Sequence, residues 1–147
     1  MGKLINRTRT NLLVGPAKNS IKGPQRISNL LPVLGNGIGR RKKDWEGRIF
    51  PQVQLEGGLL MDDTIGLRWA LFTKIKLSKN NIKNIEQDFK MLDVSILSDF
   101  PSEIQDWMIK KNCEAVLVRP DRYVYGTATT KKEIVCLVRD AMKEIYE

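Results

Sequence analysis

Asp62 and Asp63, the thiols of Cys113 and Cys136, and the cationic run Arg40-Arg41-Lys42-Lys43 beside Trp45 are the residues here whose types and spacing bear on chemistry. Two carboxylates divide acid and base roles only when they converge on one site. Neighbours on an extended chain point to opposite sides. Asp62 and Asp63 are therefore expected in a turn or a helix cap before Thr64-Ile65-Gly66, not in a dyad. The cysteines lie 23 positions apart, which is neither a CxxC nor a metal spacing. Cys136 falls in an apolar helical pattern and is expected to be a buried, inert thiol. Histidine is absent, which removes a Ser-His-Asp triad and most zinc hydrolase sites.

The cationic run, with Arg48, could grip phosphates while Trp45 stacks on a base; it could equally be a solvated linker or face an acidic partner surface. No aromatic residues interleave with basic ones along the strand candidates, which disfavours nucleic acid. Gly35-Asn36-Gly37-Ile38-Gly39 follows Pro32 and precedes charge, so it reads as a linker and not as a phosphate loop. Charge is unevenly placed within a net +8. Residues 1–50 hold 11 Lys/Arg against 2 Asp/Glu, giving +9, and residues 51–147 hold 14 against 15, giving −1. The basicity thus belongs to a Gly/Pro-punctuated arm, residues 1–46, and the folded body is expected over 47–147. No apolar run reaches the roughly 18 residues that a transmembrane helix needs.

The elements that must position these residues follow from periodicity. Gly57-Gly58 signals a hairpin turn. Trp69–Thr73, Val94–Leu97, Ala115–Val118 and Tyr123–Ala128 read as strands. Ile82, Ile85, Phe89 and Leu92 share a helical face capped by Asn80 or Asn81, and a helix over about Ser102–Lys111 turns Ile104, Trp107 and Met108 inward. Thr130 and Glu133 form a capping box for a last helix with the stripe Ile134, Leu137, Val138, Ala141, Met142 and Ile145. Strand–helix–strand segments favour parallel pairing and a tight turn forces antiparallel pairing. The expected fold is α/β, a thioredoxin-like mixed four-stranded sheet with flanking helices. The thiolate at the start of the first helix that thioredoxin chemistry requires is missing near Ser78-Lys79-Asn80-Asn81.

Phe50-Pro51-Gln52, Asp62-Asp63 with Gly66, Trp69-Ala70-Leu71 and the turn Arg119-Pro120-Asp121 occur in an order and spacing that resembles the C-terminal, thioredoxin-like domain of FAD-dependent aromatic-ring hydroxylases, the phenol and 3-(3-hydroxyphenyl)propionate hydroxylase group. The similarity spans roughly residues 47–128. Members of that family hydroxylate phenolic rings with FAD, NAD(P)H and oxygen, and their flavin site lies in a preceding Rossmann-like domain. The resemblance therefore implies a truncated or split relative whose chain is the non-catalytic packing and assembly domain, cytoplasmic, binding no cofactor alone, with a flavoprotein FAD domain or a second copy as partner and no membrane. The alternative is a stand-alone basic-arm module for nucleic acid or another polyanion. The family usually has Gly where this chain has Arg122. If that position requires φ > 0, Arg122 costs about 1 kcal/mol relative to Gly. Arg119 is expected to pair with Asp62, with Asp63 or with a neighbouring domain.

Overall fold

The computed structural model describes residues 38–40, 42–78 and 86–146. Residues 1–37, Arg41, 79–85 and 147 lie outside the described residues, and with them the expected cap Asn80 or Asn81 and the expected face residues Ile82 and Ile85.

Four strands form one mixed sheet: β1 (Trp69–Thr73), β2 (Val94–Leu97), β3 (Ala115–Val118) and β4 (Val124–Ala128), in the order β2-β1-β3-β4. β1 and β2 run parallel, with Trp69 opposite Val94 and Leu71 opposite Ile96. The return between them carries α2 (Glu86–Met91), the crossover that parallel neighbours need. β3 lies antiparallel to β1 and to β4, so Thr73, Ala115 and Ala128 form one row across the sheet. The register shifts at Leu117/Val118, where Val118 faces Val124. One extra residue of β4 enters there as a bulge.

β1 is buried at all five positions and β3 at all four. Both faces of the sheet are therefore covered, and alternation divides the apolar residues between two cores. Ala70, Phe72, Val116, Val118 and Val124 point to one core with Phe50, Val53, Met61, Ile65, Phe100, Ile104, Met108 and Cys113. Trp69, Leu71, Ala115, Leu117, Tyr125 and Ala128 point to the other with Phe89, Leu92, Ile134, Leu137, Val138 and Ala141. The first is roofed by α1 (Met61–Ile65) and α3 (Ser102–Lys110), the second by α2 and α4 (Lys131–Tyr146).

The mixed four-stranded sheet with flanking helices is the architecture expected from the sequence. Details depart from it. β4 begins at Val124, one residue late, and Tyr123 makes an isolated antiparallel bridge with Ile49 instead. Met61-Asp62-Asp63, expected as a turn or a helix cap, is the first turn of a short helix. The Gly57-Gly58 turn forms as a 3-10 turn, Glu56–Gly58, with both glycines at positive φ (80° and 77°) and Gln54 bridged to Leu60. In α3, Ile104 and Met108 are buried as expected, one turn apart, and Trp107 is partly buried. In α4 the stripe holds through Ala141, whereas Met142 is half-buried and Ile145 is exposed where the helix runs past the sheet. The Glu133 amide donates to Thr130 Oγ1 at 3.2 Å, and Glu133 Oε2 accepts from the amide (2.6 Å) and hydroxyl (2.9 Å) of Thr129. The capping box thus forms, but its return bond falls one residue before the cap.

Candidate functional site

Three separated segments meet at the β3–β4 turn. The Arg119 amide donates to Tyr123 O and the Arg122 amide to Arg119 O, each at 2.9 Å. Arg122 itself has φ 67°. A turn followed by one left-handed residue is a hairpin that ordinarily selects Gly at that residue. Arg122 stands there, so the strain anticipated from the sequence is present. The chain before the first core runs alongside: Gly47 donates to Val124 O (2.8 Å), Val124 to Arg48 O (2.8 Å) and Phe50 to Arg122 O (2.7 Å). Phe50, followed by Pro51, is locked in the core against Phe72 and Trp107, with ring centroids 5.0 and 5.2 Å away.

What the sequence did not single out as a functional group is the Arg122 guanidinium. Its Nε donates to Asp62 Oδ1, and its Nη2 donates to Gly66 O at 2.5 Å. Asp62 Oδ2 accepts from Gln52 Nε2 at 2.7 Å. Burial of Asp62 raises its pKa, but the bonds from Arg122 and Gln52 and the Arg122 charge outweigh that and hold it below the usual 3.8. A carboxyl kept ionised in this way does not serve as a general acid. Asp63 is exposed in the first turn of α1 and Asp62 is committed to Arg122, so the two form no dyad. Gly66 ends α1 with φ 63° and ψ −150°, a conformation open mainly to Gly.

Arg119 is corrected. Its Nη2 pairs with Asp121 Oδ2 at 2.6 Å and its Nη1 donates to Ile38 O at 2.5 Å, while Asp62 goes to Arg122. The reason is direction: a left-handed Arg122 turns its side chain back toward α1, the place expected for Arg119. Asp62, Gly66, Leu67, Pro120, Asp121 and Arg122 line an open cleft of about 330 Å³. FAD carries a diphosphate; the cleft wall holds Arg122, whose charge is already matched by Asp62, beside the carboxylate of Asp121, a balance that does not suit a diphosphate. The cluster joins α1 to the hairpin; no nucleophile–base pair is assembled at it.

The described part of the basic arm is engaged with the body. Gly39 donates to Glu144 Oε2 at 3.0 Å, and Arg40 Nε lies 3.3 Å from Asp140 Oδ2. Lys43 Nζ donates to Thr127 Oγ1 at 3.0 Å and Lys42 is exposed. Arg41 lies outside the described residues. Glu46, 5% exposed, accepts from the amides of Lys42 (2.5 Å), Lys43 (3.3 Å) and Thr127 (3.4 Å). One buried carboxylate therefore ties the arm to β4. No sequence pattern marked Glu46, because its partners are backbone groups of distant segments.

Cys113 is buried and free, and its Sγ lies 3.6 Å from Met108 O. Burial pushes its thiol up to about 11, against the lowering influence of Lys43, Lys74 and Lys111. Cys136 is exposed, which corrects the expectation of a buried thiol. At 100° per residue it lies on the side of the helix roughly opposite the buried stripe. Among the described residues no group of three His, Cys, Asp or Glu is placed to hold a metal, and no helix is long and apolar enough to cross a membrane.

Comparison with curated protein sequences gives no match. Solved structures resemble the chain as follows. K252c-soaked RebC has 18% identity, TM-score 0.49, and the likeness covers 74% of this chain and 22% of that one. The substrate-free form of the rebeccamycin biosynthetic enzyme REBC has 18% identity and TM-score 0.49 over 75% and 22%. Chromopyrrolic acid-soaked RebC with bound 7-carboxy-K252c has 17% identity and TM-score 0.48 over 82% and 25%. This chain thus corresponds to a quarter or less of their lengths. The sequence model of the family described as HcaD C-terminal domain matches residues 72–140, from the end of β1 into α4 and across the Arg119–Arg122 turn. Over residues 72–140 this chain is therefore similar to the HcaD C-terminal domain, in line with the resemblance read from its sequence.

Proposed function

We propose that this chain is the packing and assembly domain of an FAD-dependent aromatic monooxygenase system, and that it carries out no flavin chemistry itself. Its body, residues 47–147, is read as a thioredoxin-like domain that has kept the sheet and abandoned the CxxC; residues 1–46 are read as its connection toward a flavin domain. FAD and NAD(P)H belong to that flavoprotein partner, or to a flavin-binding portion of the same polypeptide, in the cytoplasm. The observation that carries this reading is the use made of the signature residues. Asp62, Gly66, Arg119, Asp121 and Arg122 come from segments far apart in sequence, and they bond to one another and to the backbone. Groups committed in this way hold a shape, and a shaped surface is what an assembly domain contributes. Support also comes from the family match over residues 72–140.

The test is flavin retention. The purified chain, dialysed against FAD, is expected to retain none above background and to oxidise no NADH or NADPH with phenolic substrates. Stoichiometric retention of FAD would overturn the proposal.

A further inference from the structure

A second surface, remote from the hairpin turn, has no part in that cluster. The row Thr73–Ala115–Ala128 ends the sheet opposite the turn. Lys74 follows β1 there, and its amide bonds Glu114 O at 2.9 Å. Lys111 follows α3, and Lys43 is held at β4 by Thr127. The ammonium groups of Lys43 and Lys111 both sit over the Trp45 ring, 5.5 and 5.1 Å from its centroid. The charges of Lys43, Lys74 and Lys111 all reach the same buried Cys113 sulfur. Three cations are thus gathered at one pole. Among the described residues none of the three is in an ion pair, whereas Arg40, Lys90, Arg119, Arg122 and Arg139 all are. Two carboxylates are within reach of this pole without an ion pair to it: Glu114, whose charge is felt at Cys113, and Glu133, which feels the charge of Lys43. Gathering like charges is unfavourable, and cation–π contact with one indole offsets only part of that cost.

We propose that this pole, Lys43, Lys74 and Lys111 around Trp45, is a docking surface for a carboxylate-rich protein face. The Trp45 ring decides between an acidic protein and a nucleic acid. It is partly buried against the first core and its ring is approached by two ammonium groups, so it is not offered as a stacking platform for a base. What remains outward is charge, which fits carboxylates. This inference deepens the assembly role proposed above and rests on it; its test uses no flavin and no flavin domain, so the two readings fail separately.

The full chain is titrated into fluorescently labelled poly-L-glutamate, and separately into labelled oligothymidylate, with anisotropy as the readout. Poly-L-glutamate is expected to bind in low salt and to weaken as salt rises. The variant Lys43→Gln/Lys74→Gln/Lys111→Gln should weaken it about tenfold, and Arg68→Gln/Lys90→Gln/Lys143→Gln, which removes the same charge elsewhere, should leave it within about twofold. If the first variant does not fold by circular dichroism, Lys74→Gln/Lys111→Gln leaves the Lys43–Thr127 bond intact and should still weaken binding more than the control. Equal weakening by both charge sets, no binding of poly-L-glutamate, or tighter binding of oligothymidylate that depends on the three lysines would each overturn the proposal.

Discussion

Arg122 shows how a single residue can be strained and useful together. Its left-handed backbone (φ 67°) costs about 1 kcal/mol that Gly would not incur, and its guanidinium recovers bonds to Asp62 and Gly66 that Gly could not make. Arg122→Ala keeps the strain and loses the bonds, while Arg122→Gly loses both. In urea titrations Arg122→Ala should therefore be about 1 kcal/mol less stable than Arg122→Gly; equal stabilities would show that the backbone is not strained there. Asp62 adds a pH dependence. Its folded pKa is depressed, so its contribution is present above the ordinary carboxylate value of 3.8 and is lost as pH falls through the folded value. The stability gap between the parent chain and Asp62→Asn should be open at neutral pH and close in acid. A gap that widened on acidification would contradict the ion pair. The thiols separate as well: Cys136 is exposed, and Cys113 is buried with its pKa raised to about 11. A disulfide reagent at mildly alkaline pH should modify one thiol quickly and the second only on unfolding.

At the scale of elements, the arm, β4 and α4 meet closely at Gly126. A Cβ on Gly126 would lie 2.5 Å from Leu137 Cδ1, 3.2 Å from Arg40 Cδ and 3.4 Å from Glu46 Oε1. Leu137 is fully buried and has little room to yield. Gly126→Ala should cost about 1–3 kcal/mol by overpacking, read from the denaturation midpoint; a neutral result would mean that the arm lifts off at little cost. Strands and helices were legible in the sequence wherever one period dominated, as in Trp69–Thr73, Ala115–Val118 and the Ile134–Ala141 stripe. The helix that holds Asp62 was not read as one because five residues are too few to show a period. Cys136 was misplaced because it neighbours Leu137 in sequence but not around the helix axis. The signature turn was legible, but its bonding was not. That bonding depends on the hand of one residue, which turned Arg122 and not Arg119 toward α1.

The described residues form one sheet with a core on each face, a bonded cluster at one end and three lysines outside any ion pair among the described residues at the other. The parallel β1–β2 pair and the antiparallel β3–β4 hairpin were legible from the alternation of elements, whereas the antiparallel pairing of β3 with β1 was not, because α3 returns the chain past β2 to the other side of β1. The role of Lys74 and Lys111 was not legible, since they reach one pole only after β1 and α3 have been packed. The central claim is that such a domain works by packing in a flavoprotein and not by chemistry of its own. The most direct measurement is capture from source-cell extract with antibodies against residues 131–146, followed by the mass and bound flavin of what is held. The account predicts FAD in the captured material, either on a polypeptide several times heavier than this chain or on a second polypeptide beside it. A species of this chain's own mass, held without a partner and without flavin, would contradict it.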